Sequence, residues 1–146
     1  MTRSWEQVLQ ENRHSVLDGW HRVAVTLLPG VSGHGSPVAD ALVAELDGIV
    51  DSLVAGVSAE EPLSALTRIL AVQELPPSRS LSILSGLRPL LADELDAVER
   101  ERLGDRIEKL TLQAFDRYMH HREVISQLKV DEGMRRMHMA LRRAEA

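Results

Sequence analysis

A hydrophobic period near 3.6 residues runs through almost the whole chain, and it leaves few folds open. Leucine and alanine carry the pattern more than valine, isoleucine or tyrosine, and no stretch of strand length alternates apolar with polar. The chain is therefore expected to be all-α. Prolines and glycines cut it into helices short enough to pack on one another, followed by one long C-terminal helix. At 146 residues it suits one domain with its own core.

The caps and breaks place the elements. The first helix is expected from about Trp5 to Leu28, with Ser4 and Gln7 forming a capping box and Pro29-Gly30 as the stop. Trp5, Val8, Leu9, Val16, Trp20 and Val23 share its apolar face. After the loop Gly30 to Gly35, Ser36 caps a second helix with Pro37 at its first position, ending near Gly56. Ser58-Ala59-Glu60-Glu61 reads as a capping box for a third helix, running to about Val72. Past Pro76-Pro77 a fourth helix starts at Ser78 and is expected to kink at Pro89, which lacks a donor and clashes one turn back. Asp93 to Lys109 is dense in both charges and reads as a solvated stretch with a break near Gly104. The last helix then runs from about Asp105 toward the C-terminus.

That last helix carries two apolar stripes. Ile107, Leu110, Ala114, Tyr118, His121, Ile125 and Leu128 are spaced 3, 4, 4, 3, 4 and 3, close to a coiled-coil seam. Leu112, Phe115 and Met119 lie about 110° away, at about 100° per residue. Two faces need two neighbours. The seam-like stripe is expected to form a two-fold homodimer interface, the alternative being cover by the charged segment before it. His121 lies on the same stripe, where charging near pH 6 either weakens association or, with the ring exposed, has no effect. Farther on, Val130, Met134, Met137 and Leu141 are spaced 4, 3 and 4 on the Leu112 side, and read as an output segment that binds another helix. The contact face changes near Gly133, where a bend is expected.

Nothing in the sequence assembles into catalysis. The Gly30 to Gly35 loop holds Ser32 and His34 but lacks G-x-S-x-G spacing, a preceding strand, and the lysine of a phosphate loop. Cysteine is absent, which excludes disulfides, thiolate metal sites and cysteine nucleophiles. Of six histidines, only His120 has a carboxylate three residues on, Glu123, and the Glu-x-x-His order of di-metal bundles is reversed. Asp93-Glu94 and Asp131-Glu132 sit in charged runs and read as solvated. No enzyme activity, metal or cofactor is expected. A net charge of -5 and only 3% aromatic residues argue against nucleic-acid binding. With no 18-residue apolar run and no signal-peptide core, no membrane insertion is expected, and the location expected is cytoplasmic.

Two segments carry a resemblance: Pro76-Pro77-Ser78 leading through Leu81, Ile83 and Leu84 to Leu87-Arg88, and Leu110 to Tyr118 with Phe115-Asp116, running on through Arg122-Glu123-Val124-Ile125. In these the chain resembles the N-terminal sensor domain of the RsbT co-antagonists, the RsbR/RsbRD family of bacterial stress-signalling proteins. The family motif falls on Pro77, Ser78, Phe115, Asp116, Tyr118, Arg122 and Glu123. The resemblance implies a globin-like, haem-free domain of about five to seven helices that forms homodimers and receives a signal. It makes residues 1–133 the sensor-type domain and 134–146 a C-terminal helical extension. In the family this helix leads into a STAS domain. This sequence has none up to Ala146, so a stand-alone sensor or adaptor, with a signalling protein as partner, is expected. The alternative is a haem- or small-ligand-binding globin. Against haem stands the lack of any histidine between Ala71 and Leu112, where a proximal ligand would be needed.

Overall fold

In the computed structural model, residues 3–28 and 36–145 are described. They form seven α-helices and one 3-10 turn, with no strand among them. The helices are α1 (Trp5–Glu11), α2 (Arg13–Leu27), α3 (Pro37–Ala55), α4 (Glu60–Ala71), α5 (Pro77–Ser85), α6 (Leu87–Leu91) and α7 (Ala97–Glu145), the 3-10 turn lying at Ala92–Glu94. The all-α expectation and the long C-terminal helix both hold. The Pro29-Gly30 stop and the Gly30 to Gly35 loop lie outside the described residues.

Local chemistry explains most boundaries. The Ser4 hydroxyl accepts from the Gln7 amide while the Gln7 side chain accepts from the Ser4 amide, so the expected capping box forms. Ser36 caps α3 with Pro37 in its first turn, and Gly56 closes it in the left-handed region at φ 70°, where a side chain would be strained. The box expected at Ser58 is only half made. Ser58 accepts from Glu60, but Ala59 is the N-cap and has no side-chain acceptor.

Four expectations need correction. The first helix is not continuous to Leu28: it breaks at Asn12, whose side-chain amide donates to the Val8 carbonyl and to Glu94. A short amide side chain that bonds nearby backbone competes with the helix there. The break from Pro89 falls one turn upstream at Gly86, because the proline ring obstructs the Ser85 carbonyl four residues back. The stretch from Asp93 to Lys109 is mostly exposed, as expected, but it is not broken at Gly104. It holds the 3-10 turn and the opening of α7, and buries Leu95, Leu103 and Ile107. At Gly104 a Cβ would meet the Arg88 guanidinium at 3.0 Å, the far end of a flexible side chain that can move aside. Gly133 does not break the helix either. It sits within the unbroken α7, where one weak helix former costs only about 1 kcal/mol.

The core lies where α2, α3, α4, α5 and the first half of α7 meet. Trp20 is fully buried at its centre, and its indole N–H donates to the Ile83 carbonyl at 2.8 Å. Leu42, Leu46 and Ile49 of α3, Leu63, Leu66 and Leu70 of α4, and Leu103, Ile107 and Leu110 of α7 close around it. Burying a large apolar side chain contributes about 1.5–3 kcal/mol each, so this cluster sets the tertiary arrangement. At the edge, Arg13 bridges Asp47 at 2.5 Å and Asp51 at 2.7 Å, tying α2 to α3. The Asp47 carboxylate is the main reason the Arg13 guanidinium holds its proton more tightly than usual.

Candidate functional site

Helix α7 dominates the surface, and its two stripes meet opposite fates. Ile107, Leu110, Ala114 and Tyr118 are buried against the other helices of the same chain. Ile125 is partly covered by the same core, and Leu128 is exposed. The assignment of this stripe to a dimer interface is therefore corrected. Its spacing is that of a seam, but the partner is the chain's own α4 and α5. From Ile107 to Tyr118 the stripe is covered by α4 and α5, which leaves a second molecule only its distal end at Ile125 and Leu128.

His121 is corrected with it. Its Nε2 lies 3.1 Å from the Ser64 carbonyl of α4, and burial lowers its pKa. The nearby charges of Arg68 and Arg117, with His120, lower it further, while the Ser64 bond acts against them. Protonation of His121 thus bears on α4–α7 packing within one chain.

The inner face also fastens the connection between α4 and α5. The Tyr118 hydroxyl donates to the Leu75 carbonyl at 3.1 Å, and Arg122 Nη1 donates to the Ala71 carbonyl at 3.0 Å. Ala71 is the last residue of α4, where carbonyls lack helical partners, so a cation there is favourable. Sequence reasoning singled out Tyr118 and Arg122 but missed these roles. Their acceptors lie 43 and 51 residues upstream, and periodicity does not reach that far. Of the other motif residues, Pro77 opens α5 and Ser78 is exposed in its first turn. Asp116 lines a groove with Arg117, His120 and Gln113 against Glu60 and Leu63, where Arg117 and Glu60 form an ion pair. Phe115 and Glu123 are exposed.

The outer face is the open one. Leu112, at 62% exposure, Phe115 and Met119 form a bare apolar strip beside the domain body. From Ser126 to Glu145 every residue of α7 is exposed, so about 30 Å of helix extends past the last covered position. Val130, Met134, Met137 and Leu141, the expected output segment, continue the strip along this extension. Val124, Leu128 and Met139 are exposed on its other sides.

The polar groups find ordinary surface partners. Glu94 accepts from Arg3 and Asn12, Glu132 pairs with Arg136 at 2.7 Å, and Asp131 accepts from Gln127. Among the described residues no group of three or more His, Asp or Glu side chains is placed to hold a metal ion. No helix among them is long and apolar enough to cross a membrane.

No family model, curated protein or solved structure matches the chain.

Proposed function

We propose that the chain is a non-catalytic, dimeric sensor or interaction module of bacterial signalling, of the stress-response type. One observation carries this reading. A single 49-residue helix has one face built into the domain and the other left bare, and its apolar strip continues past the body. Such a helix joins a globular sensor to whatever it contacts. A bare strip of leucine, phenylalanine, valine and methionine invites a second helix, because most helical stability in proteins comes from packing an amphipathic face. Methionine adds a surface that adapts to its partner. The resemblance to the RsbRD sensor domain supports the same reading, because family members pair and pass their signal along this helix.

Light scattering tests the pairing. The parent chain should give a dimer mass at micromolar concentration, and Phe115→Glu on the outer face should give a monomer that remains helical. A monomeric parent overturns the dimeric reading. The alternative, a haem-binding globin-like sensor, is tested by an absorbance scan after expression with excess haem. No Soret band is expected, and a stoichiometric one would replace this proposal.

A further inference from the structure

The outer strip of α7 carries enough pattern to say how a second copy would lie on it. Starting from Leu112, positions 115, 119, 123, 126, 130, 134, 137, 141 and 144 follow at spacings of 3, 4, 4, 3, 4, 4, 3, 4 and 3. This is nearly an 11-residue repeat, which stays on one face of an almost straight helix, as a 3.5-residue seam does not. Leu112, Phe115 and Met119 form one apolar block, and Val130, Met134, Met137 and Leu141 form another. Glu123 and Ser126 separate them. Upstream of the first block the same face is acidic: Glu101, Asp105 and Glu108 are exposed and form no ion pair among the described residues. Downstream, the same face stays free of charge through Leu141 and Ala144.

We infer that two copies pair through this face with their α7 helices antiparallel, the two-fold axis passing between Glu123 and Ser126. Leu112 then lies opposite Met137 of the second copy, Phe115 opposite Met134, and Met119 opposite Val130. Each apolar block covers the other kind, and Phe115 gains a thioether against its ring. Glu123 meets Ser126, and Asp105 and Glu108 lie over Leu141 and Ala144, clear of the same acids of the other copy. A parallel pair would set Glu101, Asp105, Glu108 and Glu123 each against its own copy, and like charges directly opposed disfavour that arrangement. The body leaves the face free. The residues that the body buries, Leu103, Ile107, Leu110, Ala114 and Tyr118, lie roughly opposite this face around the helix, and the body reaches its edge only at Asp105, in a cleft with Trp5 and Glu6. A strip of about 50 Å by about 10 Å on each copy buries on the order of 1,000 Å² in total, the lower limit for a specific pair. The bare end of each helix is then held by the anchored half of the other.

This inference rests on the dimeric reading proposed above, and the two fail separately. The chain has no cysteine, so single cysteines report orientation without background. Phe115→Cys and Met134→Cys are prepared in the full chain, their helical spectra compared with the parent, and each is oxidised alone and after mixing. Antiparallel pairing predicts a disulfide-linked dimer from the mixture and none from either variant alone. Linkage of either variant alone means a parallel pair, which overturns the orientation and leaves the dimer standing. No linkage in any sample while light scattering still finds a dimer overturns the register. A monomeric parent overturns both.

Discussion

The two halves of α7 have the same secondary structure and different reasons for it. From Ala97 to Ile125 the helix is pinned by Leu103, Ile107, Leu110, Ala114 and Tyr118, which the other helices bury, and by polar ties such as Arg100 to the Ala92 carbonyl at 2.8 Å. From Ser126 to Glu145 every residue is exposed, and among the described residues the helix relies on its own backbone ladder and local pairs such as Glu132 with Arg136. An exposed pair of that kind contributes only about 0.3–0.5 kcal/mol. Tertiary burial supports the first half, and only a second molecule can support the other to the same degree.

The largest effect should separate the halves by burial. Leu110→Ala opens a cavity in the core and should cost about 2–5 kcal/mol in denaturant unfolding. Met137→Ala, at a position 66% exposed, should stay within about 0.5 kcal/mol when measured at a dilution where the chain is monomeric. Comparable losses at both sites would mean that the extension is part of the core.

Removing residues 134–146 sharpens the contrast next. The truncated chain should unfold at nearly the parent's temperature under monomeric conditions, lose helical signal in proportion to the residues removed, and lose its dimer mass in light scattering. Collapse of the domain on truncation would show that the extension packs on the body.

A smaller effect is expected where α7 fastens the α4–α5 connection. Tyr118→Phe removes the hydroxyl from the Leu75 carbonyl and should lower stability by about 1 kcal/mol in urea titration, with the dimer mass unchanged. A change in association without a change in stability would place Tyr118 at the interface after all.

The smallest concerns His121. Burial holds its pKa below the ordinary histidine value in the folded chain, so between the folded and unfolded values the unfolded chain binds more protons. The stability contributed by the neutral ring is complete above about pH 6.5 and is lost as pH falls through the folded pKa. Thermal unfolding of the parent should therefore weaken on acidification across that window, and His121→Gln should flatten this dependence. An equal slope in both proteins would assign the effect to other groups.

Much of this was legible in residues alone. The two stripes of α7, the Ser4 and Ser36 caps and the Gly56 stop each rest on local rules, which act within a turn or two of the residue concerned. Which stripe faces inward was not legible. Ile107-Leu110-Ala114-Tyr118 and Leu112-Phe115-Met119 are both apolar, and the deciding surfaces, α4 and α5, lie tens of residues upstream. The breaks expected at Gly104 and Gly133 failed for a related reason. A glycine's local cost is small beside a 49-residue ladder.

The sequence by itself determined that this protein is a set of amphipathic helices ending in a long one with two apolar faces, because periodicity and caps are properties of neighbouring residues. Only the tertiary structure decided that the seam-like face closes the protein's own core while the shorter strip, running on into Val130, Met134, Met137 and Leu141, stays bare. Burial is a sum over contacts between distant segments, and each helix has only as much inward face as its neighbours can cover.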